Sequence, residues 1–245
     1  MSSTTRTGLL LALAILLAWL LSLAGLVLVD PAQLPWPLLL LAVLLRTLLQ
    51  TGLFIVGHDA MHGTLWPGCR SWNDRLGALA LQLYAALPYG RCRRNHRRHH
   101  RAPGTARDPD AHPGSGLLSW YIRFMGRYLG LAQMGRLLTG WTLLAALASH
   151  ASPGGWAGSC GKVLLFCSLP LLLSSMQMFA FGTYLPHRAQ CRATTQVGVE
   201  SLALPPCLSL LACYHFGYHR EHHLWPHLAW FELPGRRIST PSLTP

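Results

Sequence analysis

Residues 9–29 have the sequence LLLALAILLAWLLSLAGLVLV, which consists mostly of leucine and alanine and carries no charge. At a rise of 1.5 Å per residue, an α-helix of this length extends about 31 Å and can cross the hydrocarbon core of a bilayer. A cleaved signal peptide is the alternative, but its apolar region has only about 7–15 residues. The stretch therefore predicts a transmembrane helix in an all-α integral membrane protein.

The composition of the whole chain agrees with this prediction. Of the 245 residues, 51% are hydrophobic and 11% are charged, whereas a soluble domain has roughly 25% charged residues. The seven cysteines are scattered and form no Cys-x-x-Cys pair. This pattern favours reduced thiols over a disulfide framework.

Three further apolar stretches predict about four spans in total. They cover approximately residues 36–56, 131–149 and 161–185. Arg46 interrupts the first of these, so its side chain is expected to face other protein or to extend to the interface. Pro170 is expected to kink the last one.

Two shorter segments predict helices at the membrane surface. Residues 73–90 are amphipathic and too short to span, which indicates an interfacial or re-entrant helix. Residues 117–130 mix aromatic residues with Arg123 and Arg127, as in a headgroup region. The expected organisation is a transmembrane hairpin over 1–56, a catalytic region over 57–234 and a disordered tail over 235–245.

The arginines orient these spans. The connections 30–35 and 150–160 contain no lysine or arginine, whereas residues 58–116 contain nine arginines and residues 187–245 contain five. The positive-inside rule places both arginine-rich segments in the cytoplasm. A net charge of +12 also raises the possibility of nucleic acid binding. Membrane topology and lipid contact explain the charge better, because it lies in loops between spans, and we expect no nucleic acid partner.

Eight histidines form three clusters, and all three lie on the predicted cytoplasmic side. Residues three or four apart share one face of a helix, so each cluster can direct two or three imidazoles at one point. So many converging imidazoles exceed the ligands of one ion, and they predict a two-metal site, for which iron with open positions for O2 fits best. A solvated helix end is the alternative for the first cluster and a basic lipid anchor for the second. The clusters are His58 and His62; His96, His99 and His100; His219, His222 and His223.

Additional histidines and nearby acids complete the predicted site. His187, which follows the last span, is expected to be a ninth ligand, whereas His215 and His227 are lesser candidates, and the isolated His112 and His150 are expected to have no role. Ligating histidines usually donate their second N–H to a carboxylate. The expected acceptors are Asp59, Asp108, Asp110 and Glu221, with surface pairing to arginine as the alternative.

Four stretches of the sequence resemble a known superfamily. They are Gly57–Gly63 (GHDAMHG), Asn95–Asp110, Phe181–Arg188 and Tyr214–Leu233, and together with the aromatic spacing around Tyr121 and Tyr128 they cover roughly residues 54–234. In these stretches the chain resembles the membrane fatty-acid desaturase and hydroxylase superfamily, and within it the branch of carotenoid 4-oxygenases. It departs from that branch at Leu228–Phe231, where relatives usually have a proline and paired tryptophans, and this departure bears on ring selectivity.

The resemblance implies an iron enzyme that uses O2 and electrons from a ferredoxin-type donor. Its substrate would be β-carotene, and its hydroxylated relatives, taken from the bilayer. Two hydroxylations of ring carbon 4 and the loss of water would give a ketone, as in echinenone, canthaxanthin and astaxanthin. The eight clustered histidines and His187 carry over as iron ligands. The positions of Asp59, Asp108 and Asp110 also match the motifs of the superfamily.

Aromatic residues after the third cluster are candidates for substrate binding. Trp225, Trp230 and Phe231 follow it closely enough to line a pocket for a carotenoid ring. An interfacial aromatic belt is the alternative.

Two other functions remain open. One is a membrane fatty-acid desaturase or lipid hydroxylase with the same metal core. The other is a metal transporter with histidine-rich loops. Transporters tend to carry ionisable ligands in mid-membrane, whereas the spans predicted here contain histidine only at their ends.

Overall fold

The computed structural model describes residues 1–111, 116–150, 154–188 and 199–238. His112 and the tail from residue 239 onward, both subjects of predictions above, lie outside these ranges. Within them all regular secondary structure is helical. The nine helices labelled here are α1 (Ser3–Leu28), α2 (Trp36–His62), α3 (Arg70–Ala85), α4 (Tyr89–Arg101), α5 (Leu117–Tyr128), α6 (Leu131–Ser149), α7 (Gly155–His187), α8 (Pro206–Cys213) and α9 (His219–Leu224).

Three of the described helices are long and apolar enough to cross a membrane: α1, α2 and α7. Helix α6 matches the bounds of the predicted third span, but it is not among them, and four spans are therefore not confirmed. Its first turns carry Gln133 and Arg136, which donate hydrogen bonds to the carbonyls of Ala85 and Ala86 at the end of α3. A polar start of this kind lowers the apolar character of a helix that has only 19 residues.

Helices α2 and α7 both end at the histidine clusters, so the chain between them must return to the opposite end of the bundle. Helix α6 provides this return, because Ala145 near its end packs against Val163 and Cys167 in the first turns of α7. The beginning of α6 lies beside the end of α3, whose Tyr84 carbonyl accepts a hydrogen bond from Gln50, midway along α2. The return path is therefore shared between α6 and the segments that precede it.

Arg46 faces other protein, which is one of the two alternatives that the sequence predicts for it. It is fully buried in α2, and its guanidinium donates to the carbonyl oxygens of Trp19, at 2.7 Å, and Phe166, at 3.1 Å. It also lies over the ring of Trp19, 4.8 Å from the ring centroid. Arg46 thus ties α1, α2 and α7 together at the end of the bundle that is remote from the histidines.

Helices α3 and α4 form a hairpin against α2. Helix α3 packs so closely that a Cβ atom on Gly77 would lie 2.4 Å from the Cβ of Ala60. The chain turns at Ala86, which has a positive φ of 53°, and α4 then returns toward the histidine end of α2. This path fits the re-entrant alternative for residues 73–90, with the helix ending at Ala85.

Helix α7 remains continuous through two prolines. A π-helical turn over Leu164–Ser168 precedes Pro170, and a second over Ala180–Tyr184 precedes Pro186. Wide turns accommodate the missing N–H of proline and often occur at functional sites. The second turn places His187 at the end of the helix, next to the histidine clusters.

The described part of the chain includes residues 235–238, the first residues of the predicted tail. A 3-10 helix covers Trp230–Arg236, and the amide of Ile238 donates a hydrogen bond to Glu221 at 2.9 Å. This contact fixes residues 235–238, which lack an apolar pattern of their own. The six described cysteines are free thiols, and the seventh, Cys191, lies outside the described residues.

Candidate metal centre

The nine histidines predicted as ligands come together in two groups. In each group the candidate ligand atoms lie within 4.8 Å of one another. The larger group comprises His58, His62, His96, His100 and His222, and the smaller comprises His99, His187, His219 and His223. The sequence could predict the set of nine, but not this division into five and four.

Helix periodicity explains which residues share a group. His58 and His62, His96 and His100, and His219 and His223 are three pairs with spacing i, i+4, and each pair stays within one group. The remaining histidines of α4 and α9, His99 and His222, are rotated from their pairs and belong to the other group. Both helices therefore contribute to both groups, which holds the two groups side by side.

The distances between the ring nitrogens fit a shared metal ion. The Nε2 atoms of His62 and His96 lie 2.7 Å apart, and those of His99 and His223 lie 3.0 Å apart. Two imidazoles bound at right angles to one ion, with bonds of about 2.1 Å, have nitrogens about 3 Å apart. His58 is 2% exposed, and neither of its ring nitrogens has a hydrogen-bond partner in the described part of the chain. An ion would satisfy such buried nitrogens.

Burial also favours the neutral, metal-binding form of these rings. It lowers the pKa of His96, His219, His222 and His223, and the neighbouring imidazoles lower that pKa further. Burial and the neighbouring imidazoles also lower the pKa of His100. Uncharged imidazoles with available lone pairs are the form that binds transition metals.

His99 differs because two carboxylates face it. Burial opposes a charge on its ring, but the hydrogen bond to Asp108 and the negative charges of Asp110 and Asp108 outweigh burial, and the pKa of His99 is raised. The Nδ1 atom of His99 lies 3.0 Å from both carboxylate oxygens of Asp108. If Nδ1–H donates to Asp108, Nε2 is left to face His223 and the smaller group.

The other predicted acids have different partners. Asp59 lies beside His58, with Oδ1 3.7 Å from Nδ1, and its Oδ2 accepts the amide of Trp230 at 3.3 Å. Asp110 accepts the hydroxyl of Tyr128 at 2.7 Å and lies 3.9 Å from His99, beyond hydrogen-bond distance. Only Asp108 therefore makes a hydrogen bond to a candidate ligand in the described structure.

For Glu221 the predicted role needs correction. Its carboxylate is fully buried and accepts hydrogen bonds from Ser201 and from the amide of Ile238, which attach the chain on either side of α9. Successive residues of a helix are rotated by about 100°, so residue 221 points away from the face that carries His219 and His223. It anchors the helix and does not orient an imidazole.

His215 and His227 lie outside both histidine groups. The ring of His215 stacks against Tyr218 and Trp230, with centroid distances of 5.7 and 6.0 Å. Its positive φ of 64° turns the chain before α9 and directs the ring away from the other histidines. His227 is exposed, and His150 follows the end of α6 at the remote end of the bundle. His112 is not described.

A cavity of about 270 Å³ leads away from the two groups. His58, His96, His99 and His219 form one end of it. Along α7 its wall runs from Thr183 back to Ser168, a rise of about 22 Å over fifteen residues. The remaining wall is mainly apolar and comes from α2, α5 and α6. Such a shape suits a long hydrocarbon whose end meets the metal ligands.

The predicted substrate residues Trp225, Trp230 and Phe231 are not in the wall of this cavity. Trp230 packs on Tyr214, with ring centroids 5.1 Å apart, and the ring of Phe231 lies against Gly8 of α1. They follow the third cluster in sequence, but the chain turns after α9, and Trp230 and Phe231 contact residues outside the cavity. Their contacts indicate a packing role for Trp230 and Phe231.

The sequence interpretation missed the aromatic residues that do line the cavity. Tyr121, Phe124 and Tyr128 occur at spacings of three and four on α5 and face inward, while Leu118 and Ile122 of the same helix are exposed. The spacing was visible in the sequence as an amphipathic pattern. The amphipathic pattern predicts a helix in the headgroup region, because the pattern alone does not identify which face of the helix contacts protein.

Comparisons with known proteins show which family and which proteins this chain is similar to. The sequence model of the fatty acid desaturase family matches residues 34–237. The chain is 40% identical to a β-carotene ketolase from a Paracoccus strain, over 95% of this chain and 93% of that protein. It is 41% identical to a β-carotene ketolase from another Paracoccus strain, over 93% and 90% of the two chains.

A match over a shorter part of the chain adds a second substrate name. The chain is 41% identical to a zeaxanthin 4-ketolase from Chlamydomonas reinhardtii, over 76% of this chain and 41% of that protein. No solved structure matches the chain.

Proposed function

This chain belongs to the fatty acid desaturase family, and we propose that it is a carotenoid ketolase that oxidises ring carbon 4 of β-carotene and of its hydroxylated relatives. The observation that carries the proposal is the position of nine histidines, in two groups, at the end of a long apolar cavity. The names of the two full-length relatives support the substrate class. The resulting enzyme is an oxygenase embedded in a membrane.

The histidine groups would hold two iron ions. Iron bound by imidazole with open positions supplies the O2-dependent oxidation of an unactivated C–H bond. The chain contributes the ligands, and Asp108 orients His99 among them. Two hydroxylations of one carbon would give a geminal diol that loses water to the ketone. Products of the echinenone, canthaxanthin and astaxanthin type would follow from the number of rings and their hydroxyl groups.

The cavity would position the ring and exclude water. Phe54, Phe124 and Phe216 provide flat apolar surfaces in its wall. Binding of the polyene along α7 would leave the terminal ring against His58 and His219. A hydrocarbon dissolved in the bilayer could enter between the apolar helices without passing through water.

The exposed arginines of α4 would recruit an acidic, ferredoxin-type electron donor. Arg94, Arg97, Arg98 and Arg101 are exposed on the helix that carries three of the histidines. Opposite charge increases the rate of encounter with an acidic protein. Contact with anionic lipid is the simpler role for the same charges. Only the recruiting role would make the donor concentration for half-maximal rate depend on these arginines.

We also propose that the metal centre lies on the cytoplasmic side of a multi-pass membrane protein. The arginine-rich segments accompany the histidines, and the loop around Pro31 at the opposite end carries no basic residue. The positive-inside rule supports this orientation.

A lipid desaturase or hydroxylase with the same metal core is the second candidate, since the family model bears that name. A metal transporter is a weaker one, because both histidine groups lie at the ends of helices and beside a mainly apolar cavity. A transport path would require polar residues along its length.

Expression in a bacterium that accumulates β-carotene tests the proposal. We expect ketocarotenoids, identified by mass and by the shift of their absorption to longer wavelength. A His62→Ala, His100→Ala double variant at equal membrane level should give β-carotene only. Unchanged pigments together with altered membrane lipids would instead identify the second candidate.

A further inference from the structure

Asp110 is a buried carboxylate that acts on His99 through its charge but makes no hydrogen bond to a histidine in the described structure. His99 lies 3.0 Å from both oxygens of Asp108, which satisfies its Nδ1 atom. Asp110 lies 3.9 Å from that atom, and its backbone amide donates to Asp108 at 2.8 Å. Orientation of His99 is therefore a function of Asp108. The side chain of Asp110 has to be explained in another way.

The side chain of Asp110 borders the cavity. It is 7% exposed, and its Oδ1 accepts the hydroxyl of Tyr128, which also lines the cavity, at 2.7 Å. Its Oδ2 receives no hydrogen bond from the described residues. Its backbone carbonyl accepts the indole N–H of Trp120 at 2.8 Å, which ties this segment to α5. The carboxylate is thus held in place, with one acceptor oxygen that no donor among the described residues reaches.

A buried carboxylate with an unoccupied oxygen is unfavourable unless a donor reaches it. The groups that face Asp110 are His99 and Asp108 on the metal side, with Tyr128, Arg127 and Cys92 on the helix side. His99 is engaged by Asp108, and the Tyr128 hydroxyl already donates to Oδ1. The donor for Oδ2 is then best supplied from the cavity.

We propose that Asp110, oriented by Tyr128, accepts a hydrogen bond from a ring hydroxyl of the substrate. This inference rests on the proposed ketolase function and adds the residues that select a hydroxylated ring. In zeaxanthin the hydroxyl is on ring carbon 3, adjacent to the carbon that is oxidised. With carbon 4 at the metal ligands, that hydroxyl would lie next to His99, where Asp110 borders the cavity. A plain β-carotene ring has no group to make this bond.

The Tyr121 hydroxyl offers a matched comparison on the same helix. Tyr121 also lines the cavity, and its hydroxyl forms a hydrogen bond of 2.7 Å with the hydroxyl of Ser175. Ser175 lies about three helical turns before His187 in α7. Tyr121 and Tyr128 are seven residues apart, or about 10 Å along α5. Tyr121→Phe and Tyr128→Phe each remove one hydroxyl. The two variants therefore make the same chemical change at different distances from the candidate metal ligands.

The test is competition between equimolar zeaxanthin and β-carotene in reconstituted, iron-loaded enzyme. The ratio of products gives the ratio of the two kcat/KM values. We expect Asp110→Asn to lower the ratio of zeaxanthin to β-carotene about tenfold, because an amide accepts more weakly than a carboxylate. Tyr128→Phe should lower it about fivefold by releasing the carboxylate. Tyr121→Phe should change it less than twofold.

Iron content and membrane level are measured for each variant. Unchanged ratios in both Asp110→Asn and Tyr128→Phe would overturn the inference, as would an equal shift in Tyr121→Phe. Loss of iron from Asp110→Asn would show that Asp110 positions a metal ligand and would also overturn it. If Asp110→Asn does not accumulate, Tyr128→Phe decides. Wild-type enzyme that forms no ketone from either carotenoid would contradict the proposed function itself, whereas ketone from β-carotene alone would contradict only this inference.

Discussion

Individual histidines in this protein have separate roles even where the sequence repeats a spacing. His99 and His100 are neighbours on α4, yet they belong to different groups, because successive residues on a helix point about 100° apart. Substitution of His99 would therefore remove one candidate ligand from the smaller group, and substitution of His100 would remove one from the larger group. The isolated His227, in contrast, is exposed and belongs to neither group.

We predict that His99→Ala abolishes ketone formation, with a loss of more than about 100-fold, since even a partner of a ligand contributes 10- to 100-fold. His227→Ala is the matched control and should retain activity. Pigment analysis at equal membrane level measures both. Full activity of His99→Ala would remove this residue from the set of ligands.

Asp108 is hydrogen-bonded to the ring of His99, and we propose that it acts on the metal centre through this ring. Asp108→Asn replaces an acceptor-only carboxylate by an amide, which can present N–H to Nδ1 of His99. We expect the concentration of iron that gives half-maximal activity to rise about 10- to 100-fold. Asp30→Asn, the same change at the cap of the remote 3-10 turn, should leave this concentration unaltered. Equal iron dependence in the two variants would contradict the role of Asp108.

At the scale of elements, the α2–α3 contact determines where α4 presents its histidines. A side chain on Gly77 would meet Ala60 at 2.4 Å and the ring of Tyr89 at 2.7 Å, both of which lie in closely packed helices. Tyr89 in turn donates to the carbonyl of Ala60 at 2.7 Å and begins α4. The glycine therefore permits both the helix crossing and the turn into the histidine-bearing helix.

Gly77→Ala should destabilise the protein by about 1–3 kcal/mol through overpacking. Gly25→Ala on α1, where nothing lies within 4 Å of the added Cβ, is the control. Thermal unfolding of the detergent-solubilised proteins measures the difference. Similar melting temperatures for the two variants would show that α3 can move away from α2 at little cost.

The arginines of α4 fall into two classes that the sequence does not distinguish. Arg93 forms an ion pair with Asp74 of α3 at 2.7 Å, whereas Arg94 and Arg97 are exposed. The first arginine joins the hairpin, and the exposed ones are available to a partner. A test of donor recruitment must therefore avoid Arg93.

Replacement of Arg94 and Arg97 by glutamine should raise the donor concentration for half-maximal rate several-fold at low salt, with product identity unchanged. The difference from wild type should shrink as ionic strength rises, because salt screens exposed charges. Arg93→Gln should instead lower stability with little effect on donor dependence. Donor dependence that is equal in all proteins at every ionic strength would leave lipid contact as the role of these charges.

The whole molecule has two chemically different ends. Helices α2 and α7 end at the histidines, and the opposite end carries the loop around Pro31. If the metal centre is cytoplasmic, Arg107→Cys beside the histidines should react with an impermeant maleimide only after cells are permeabilised. Gln33→Cys in the remote loop should react in intact cells, with wild type giving the background from native thiols. The reverse pattern would invert the orientation.

The amino-acid sequence was sufficient to predict the helical membrane class, the two long helices α1 and α2, and the nine histidines that lie together in the structure. These features depend on local properties, namely apolar length and the spacing of side chains around one helix, and such properties can be counted along a chain. For Arg46 the sequence left two alternatives, contact with other protein or extension to the interface, because its charge cannot face lipid.

The way in which these parts combine depends on tertiary contacts that the sequence does not reveal. The division of the histidines into groups of five and four depends on how α2, α4, α7 and α9 meet, and those contacts join helices whose histidines, within one group, lie from 32 to 164 positions apart in the sequence. The same holds for Glu221, which faces Ser201, and for Trp230, which packs on Tyr214 instead of lining the cavity. Proximity along the chain predicted the wrong neighbours for both, because direction after a turn is set by packing and not by sequence distance.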